Sequence, residues 1–502
     1  MTTFGIDLGT TYSCISYVGG DGRPVIVQNS GGRELTPSVV HFESPHHVVV
    51  GDEAKDAAKG DADRVVQLIK RHMGSPDTVL EFDGVTYTPE SVSAFIVRDL
   101  ARSAAEATGE PVTDVVITVP AYFGLSERKA TFDAGLIAGL NVVGVVPEPV
   151  AAALHYGTLT VGDRTILVYD LGGGTFDTTI IRLSDGDVSV VCTDGDHQLG
   201  GADWDERIAG HLRDCFVAGH PDSGAADSEE FLQRIGLIAE DVKKGLSVLA
   251  SKRQTIQHEG AELQVDLSRE TFEELTADLL DRTMEITGRT LRTAEELGAG
   301  RPDVVLLVGG STLMPGVRAA LWRRFQFDAK LYDPHLAVAK GAALYAMQVT
   351  TDKPTKKVAI VVPRAFGTSI VAEGTEPEEG KTEIRHLLFA NTPLPADPVT
   401  EQFVTAFSDQ TEIEIDIWEQ AGSEVSIRLE DNKKIGEGLI SRLPPRPKGS
   451  PIDVTFRMDE TGKLSVDAME LGTGSRLHLE VQIGGLDAKK VDQAREAVSR
   501  LS

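Results

Sequence analysis

The sequence predicts an α/β domain followed by an antiparallel β domain, and three observations carry that prediction. A short strand running into Asp-Leu-Gly occurs twice, at Phe4-Gly5-Ile6-Asp7-Leu8-Gly9 and at Tyr169-Asp170-Leu171-Gly172. Up to about residue 348, apolar runs of strand length alternate with helical patterns, the grammar of a sheet covered by helices. Beyond it the apolar residues recur with period two, as in half-buried antiparallel strands. A chain of 502 residues is long enough for more than one hydrophobic core.

Taken in order, FGID opens the first strand, and helices are expected across 90–108, 228–250 and 269–297. VVITVP at 115–120 is a strand, the segment Ser126 to Leu140 a helix, and VVGVV at 142–146 another strand. TILV at 165–168 leads into the second glycine turn, and VVLLVGGS at 304–311 is a buried strand ending in a third. VTTDKPTKK, from Val349, is a polar linker. Past it Ile413, Ile415 and Ile417 point one way while Glu414 and Asp416 point the other. Val425-Ile427-Leu429, Ile452-Val454-Phe456-Met458 and Leu477-Leu479-Val481-Ile483 repeat the pattern, with turns at Asp431-Asn432 and Asp459 to Gly462. The last segment places Val491, Ala494, Val498 and Leu501 on one helical stripe.

Composition excludes several classes. A formal charge of -28 disfavours nucleic acid and anionic membranes, whose phosphates are bound by Lys and Arg. Cys14, Cys192 and Cys215 form no CxxC pair, which suits a reducing compartment. MTTFGIDLG lacks the basic start and apolar core of a signal peptide, and no run approaches the roughly 20 apolar residues that cross a bilayer. A cytoplasmic location is therefore expected. The adjacent pair His46-His47 has no matching ligand pattern and reads as a solvated loop.

A glycine turn at the end of a buried strand lets the backbone approach a phosphate closely and aims several N–H groups at it. An Asp at the strand end would repel that phosphate, so its natural partner is a hydrated Mg²⁺ bridging carboxylate and phosphate. Two such turns, each with hydroxyl residues beside it, can close on a di- or triphosphate from both sides, which suggests two lobes around one nucleotide. The stretch Gly374 to Thr382 looks like a Walker loop but is one residue too long, and Glu376, Glu378 and Glu379 would repel phosphate.

Five motifs in order, FGIDLGTTYS, VITVPAYF, EPVAAALHYG, YDLGGGTFD and LVGGSTLMP, resemble the ATPase domain of the seventy-kilodalton heat-shock chaperones of DnaK type. The resemblance extends to about residue 485. It implies a two-lobed actin-like (ribonuclease-H-like) ATPase domain at 1–348, a linker at 349–362, a β-sandwich peptide-binding domain at 363–485 and a short C-terminal helix at 486–502, the remnant of the family's lid.

The resemblance also implies roles. Asp7 and Asp170 would hold the waters of a Mg²⁺. Thr10, Thr11, Tyr12, Gly172, Gly173, Gly174 and Thr175 would cradle the phosphates of ATP, and Gly9 and Gly201 would also bind the nucleotide. Lys70 would approach the γ-phosphate, and Glu148, Thr175 and Asp177 would orient the attacking water. Glu240, Lys243 and Ser247, on one helical face, would meet the nucleoside opposite Gly309, Gly310 and Ser311. Pro120 and Arg128 would relay the nucleotide state, and Val371, Val404, Phe407, Ile413 and Ile415 would line a groove for extended apolar peptides. Leu313 stands where the family has an adenine-stacking arginine. A J-domain co-chaperone and a nucleotide-exchange factor are family partners. Gly144 and Pro147 replace a family arginine and asparagine, and KKVAIVVP lacks the family's leucine run and acidic residue, which argues against J-domain stimulation. The expected function is an ATP-hydrolysing chaperone; the alternative is a nucleotide-dependent scaffold with slow turnover and one dedicated partner.

Overall fold

A computed structural model describes residues 2–159, 162–351, 357–372, 381–422, 424–480 and 488–501. Strand Phe4–Asp7 runs parallel to Asp114–Val119 and antiparallel to Tyr12–Val18, in a sheet flanked by Asn141–Pro147 on one side and Pro24–Ile26 on the other. The second sheet repeats this plan. Strand Arg164–Leu171 runs parallel to Val304–Val308 and antiparallel to Phe176–Ser184. In each hairpin the aspartate of the glycine turn pairs across the turn, Asp7 with Cys14 and Asp170 with Asp177.

Local chemistry explains the helix bounds. Thr88 and Ser91 exchange side-chain and backbone hydrogen bonds and start helix Pro89–Thr108, which Gly109 ends in the left-handed conformation. The Ser228 hydroxyl accepts from Phe231 N at 3.2 Å and caps helix Glu229–Val248. The helix expected across 269–297 is two, Arg269–Leu275 and Ala277–Glu296. Thr276 separates them, its hydroxyl turned back onto Phe272 O at 2.8 Å, where a β-branched hydroxyl residue competes with helical pairing.

Helices Glu148–Gly157 and Ala337–Val349 cross between the two sheets and join them through one apolar cluster. They approach so closely that a Cβ on Gly341 would lie 1.7 Å from Ala151 O. Small residues at this crossing bring the two glycine turns to the same cleft.

After the linker, strands Thr382–Leu388, Phe366–Val371, Ile413–Gln420 and Asn432–Ile440 form one antiparallel sheet in that spatial order. Ala396–Val404, Pro451–Met458, Leu464–Glu470 and Arg476–Glu480 form the other, and the two enclose a common core. One expected strand is absent: Val425, Ile427 and Leu429 lie in a loop that ends in the short turn Leu429–Asp431. The Asn432 amide donates to Ser426 O and Arg428 O, both at 2.7 Å, taking carbonyls that a ladder would have used. The Walker-like glutamates fall at 373–380, outside the described residues, as do Val481 and Ile483.

The sandwich is attached to the α/β domain at both ends. Before it, strand Val358–Ala359 adds to the edge of the second sheet, parallel to Asp187–Asp196. After it, helix Ala488–Ser499 packs its stripe of Val491 and Val498, with Leu501 just beyond, into the core of the first lobe. Arg495 Nε donates to Leu136 O there at 2.9 Å. Among the described residues no helix is long and apolar enough to cross a membrane.

Candidate active site

The two Asp-Leu-Gly turns meet. A Cβ on Gly173 would fall 2.2 Å from Thr11 Oγ1, and one on Gly174 2.4 Å from Thr10 Cγ2, so only glycine permits this apposition. The third glycine turn closes in from the side, with Gly309 at φ 83°. Its Cβ would lie 2.3 Å from Leu171 O and 2.6 Å from Asp170 Oδ1. Ser311 Oγ donates to Gly172 O at 2.8 Å.

Around these turns opens a cavity of about 440 Å³ lined from both lobes. Asp7, Gly9, Thr10, Thr11 and Tyr12 face it from the first lobe, with Lys70 and Glu148, and Asp170, Gly172, Gly173 and Thr175 from the second. Lys70 lies in the short turn Ile69–His72 and is buried, its Nζ 2.7 Å from Glu148 Oε1. Asp177 sits just behind this wall, buried, with Oδ1 accepting from Tyr122 N at 3.0 Å.

Four carboxylates therefore share one ammonium. Burial, then the charge of Glu148, lifts Asp7 to about 7 against the pull of Lys70 and the Thr118 hydroxyl. Burial and Glu148 likewise lift Asp177 to about 7. Asp170 is raised well above the ordinary range by burial and by Glu148, Asp177 and Asp7. The donors are all oxygen and their negative charge is uncompensated, which fits a hard divalent cation and excludes the soft thiolate or imidazole sets of zinc sites.

The far end of the cavity is lined by Glu240, Lys243 and Ser247 on one helix and by Gly309, Gly310 and Ser311 opposite. Lys243 Nζ donates to Gly201 O at 2.6 Å and pairs with Asp205 at 2.7 Å, which ties Gly201 to the helix. Leu313 lines the same end, as do Lys244 and His335, which motif reading did not single out. Lys244 pairs with Glu240 at 2.7 Å. The i, i+4 spacing of Glu240 and Lys244 was a usable signal; His335, after a loop Pro, offered none. Two ion pairs bridge the lobes and were also missed. Lys55 pairs with Glu240, and Arg71 reaches both Asp203, at 2.6 Å, and Gly174 O, at 3.0 Å. Burial opposes its ionisation, yet Lys55 and Lys244 hold Glu240 down at about 2.

Pro120 and Arg128 lie beside this site. Arg128 Nε donates to Phe123 O at 2.9 Å and Nη2 to Ala121 O at 3.1 Å, and burial lowers the guanidinium to about 10. The five residues assigned to a peptide groove are divided. Ile413 and Ile415 are 5% and 6% exposed, inside the sandwich core, Val371 is half-buried, and Val404 and Phe407 are 60% and 47% exposed.

These features define a class: two lobes of like topology facing one oxygen-lined cleft, with a β-sandwich carried on the far side of a short linker. A family model described as Hsp70 protein matches residues 3–500. The chain belongs to the Hsp70 family, and is a chaperone-type protein in that sense.

Proposed function

We propose that the chain is an ATP hydrolase whose nucleotide state controls how its β-sandwich holds exposed apolar peptide segments. The observation that carries this reading is the meeting of two glycine turns, one from each lobe, around a single cavity rimmed by Asp7 and Asp170. Thr10, Thr11 and Tyr12 with Gly172 to Thr175 would cradle the phosphates through backbone N–H and hydroxyl groups. Asp7 and Asp170 would hold Mg²⁺ through water; when bound, it neutralises charge gathering on the phosphate oxygens. Lys70 would place its charge at the γ-phosphate, oriented by Glu148, while Glu148, Thr175 and Asp177 position the attacking water. Such a site works by fixed electrostatics and alignment more than by covalent chemistry.

Replacing Lys70 by Ala should leave nucleotide binding and remove hydrolysis; unchanged turnover in that variant rejects the assignment.

A second reading has its own support. The C-terminal stripe is buried against the first lobe, so this helix leaves the sandwich uncovered. An extended peptide held by one Leu-sized anchor gains roughly 2 kcal/mol from burial and about 1 per net backbone hydrogen bond, less the cost of ordering it. Weak, fast binding of that kind suits a scaffold with one dedicated partner. ATP turnover with and without a panel of short apolar peptides separates the two: stimulation favours the chaperone, indifference to every peptide the scaffold.

A further inference from the structure

The segment Ala121-Tyr122-Phe123 lies between the cleft and the sandwich, and its three carbonyls are all held by arginines. Arg128, from the first lobe, takes the carbonyls of Ala121 and Phe123. The carbonyl between them accepts from Arg364 Nε at 3.1 Å. Arg364 belongs to the chain that leads from the linker into the sandwich, and it is 3% exposed. Its Nη2 is paired with Glu127 Oε1 at 3.1 Å, and its guanidinium lies over the Tyr122 ring at 4.9 Å.

Beyond Arg364, sandwich residue Glu419 is fully buried and accepts from Leu125 N at 2.9 Å. Its second oxygen has no hydrogen-bond partner among the described residues. Lys433, also of the sandwich, donates to Gly74 O at 2.9 Å.

The same segment touches the reacting end of the cleft twice. The N–H of Tyr122 donates to Asp177, and the Phe123 ring lies beneath Lys70, whose Nζ is 5.7 Å from the ring centroid. One residue thus receives Arg364 on its carbonyl side and holds Asp177 on its amide side. Pro120, two residues before it, limits the backbone rotation available to absorb a disturbance.

We propose that Arg364 is a positioning residue for the hydrolytic reaction. By fixing the Tyr122 carbonyl, it fixes Tyr122 and with it Asp177, and so holds the water-positioning group in line. This inference rests on the ATPase reading above. Arg364 touches neither substrate nor cation, so its loss acts on the rate of the chemical step and not on nucleotide affinity. Misalignment of a positioning group lowers that rate steeply.

The experiment uses the full chain. Wild type, Arg364→Met, Arg364→Lys and Glu419→Gln are compared in single-turnover ATP hydrolysis, in nucleotide titration and in amide hydrogen exchange over residues 118–125. Arg364→Met is expected to slow hydrolysis about tenfold or more, to leave nucleotide affinity within about twofold, and to speed exchange at the Tyr122 amide. Arg364→Lys keeps the charge but loses the fork that serves both Tyr122 and Glu127, and should fall between. Glu419→Gln, which can still accept from Leu125, should turn over as wild type does.

The proposal is overturned if Arg364→Met hydrolyses ATP at the wild-type rate, or loses affinity in the same proportion as rate, which marks general damage. If Arg364→Met does not fold, Arg364→Lys decides: an intermediate rate supports the proposal and a wild-type rate overturns it. A wild-type chain without ATP turnover overturns the ATPase reading, and this inference with it; an active wild type with indifferent variants overturns the inference alone.

Discussion

Two regions of this molecule gather buried carboxylates around cations, and they balance the charge differently. In the cleft, Asp7, Asp170, Asp177 and Glu148 surround Lys70. At the seam between α/β domain and sandwich, Glu127 and Glu419 face Arg364, with Arg128 and Lys433 beside them. The cleft opens to a cavity of about 440 Å³, so its missing charge can arrive with a ligand. The seam has its cation supplied by the chain itself. Burial would raise Glu127, but the Arg364 guanidinium and a backbone N–H bring it below the ordinary glutamate range. Glu419 is pushed up to about 7 by burial, with the charge of Glu127 adding to it, against the pull of Arg364. A site that must bind and release leaves its charge open, whereas a contact that must hold closes it with an arginine and a proton.

The largest test of that contrast is removal of the divalent ion. Chelation should abolish ATP turnover, and Asp170→Asn should lower it by about a hundredfold or more, as loss of a strong electrostatic element does; restoration by Mg²⁺ is read in the same assay. Next comes the seam. Arg364→Met takes the leading counter-charge from Glu127 and Glu419, and removing one partner of a buried ion pair costs about 3–5 kcal/mol. Denaturant unfolding of the sandwich transition measures it, with a smaller loss at pH 5 than at pH 8.

Glu419 supplies a pH signature of its own. Its carboxyl keeps its proton in the folded state up to about 7, whereas the unfolded chain releases it near the ordinary glutamate value. Between those two values the folded state binds more protons, so stability falls as pH rises and then levels off above about 7. Glu419→Gln should remove that slope in thermal unfolding followed from pH 5 to 8. The smallest effect belongs where no charge is involved. Val498, buried between the C-terminal helix and the first lobe, loses two methyl groups on change to Ala, worth about 1–2 kcal/mol at roughly 0.8 per carbon. Equilibrium unfolding reads this loss, and nucleotide affinity should not change.

Much of the site was legible because its signals are local. A glycine turn after a buried strand writes itself in consecutive residues, and both copies stand in the chain in full. The residues that close the cleft from a distance were less legible. Lys55 and Arg71 are ordinary charged residues until folding sets them beside Glu240 and Asp203. Glu419 carried a faint mark: counting by two from Ile413, Ile415 and Ile417 puts an acid on the buried face of its strand, an arrangement that calls for a partner. Arg364 carried none, since its partners lie some 240 positions away in the chain. In Val425-Ile427-Leu429 the opposite failure occurs, a regular alternation overruled by the side chain of Asn432.

By itself the sequence determined most of the strands and helices, both Asp-Leu-Gly turns and the change of period after the linker, because each is a property of neighbouring residues and their backbone preferences. Only the tertiary structure decided which carboxylates share a cation and that Tyr122 joins Arg364 to Asp177. Charge pairing and burial depend on distance in space and on exclusion of water, and neither is written in the spacing of residues along a chain.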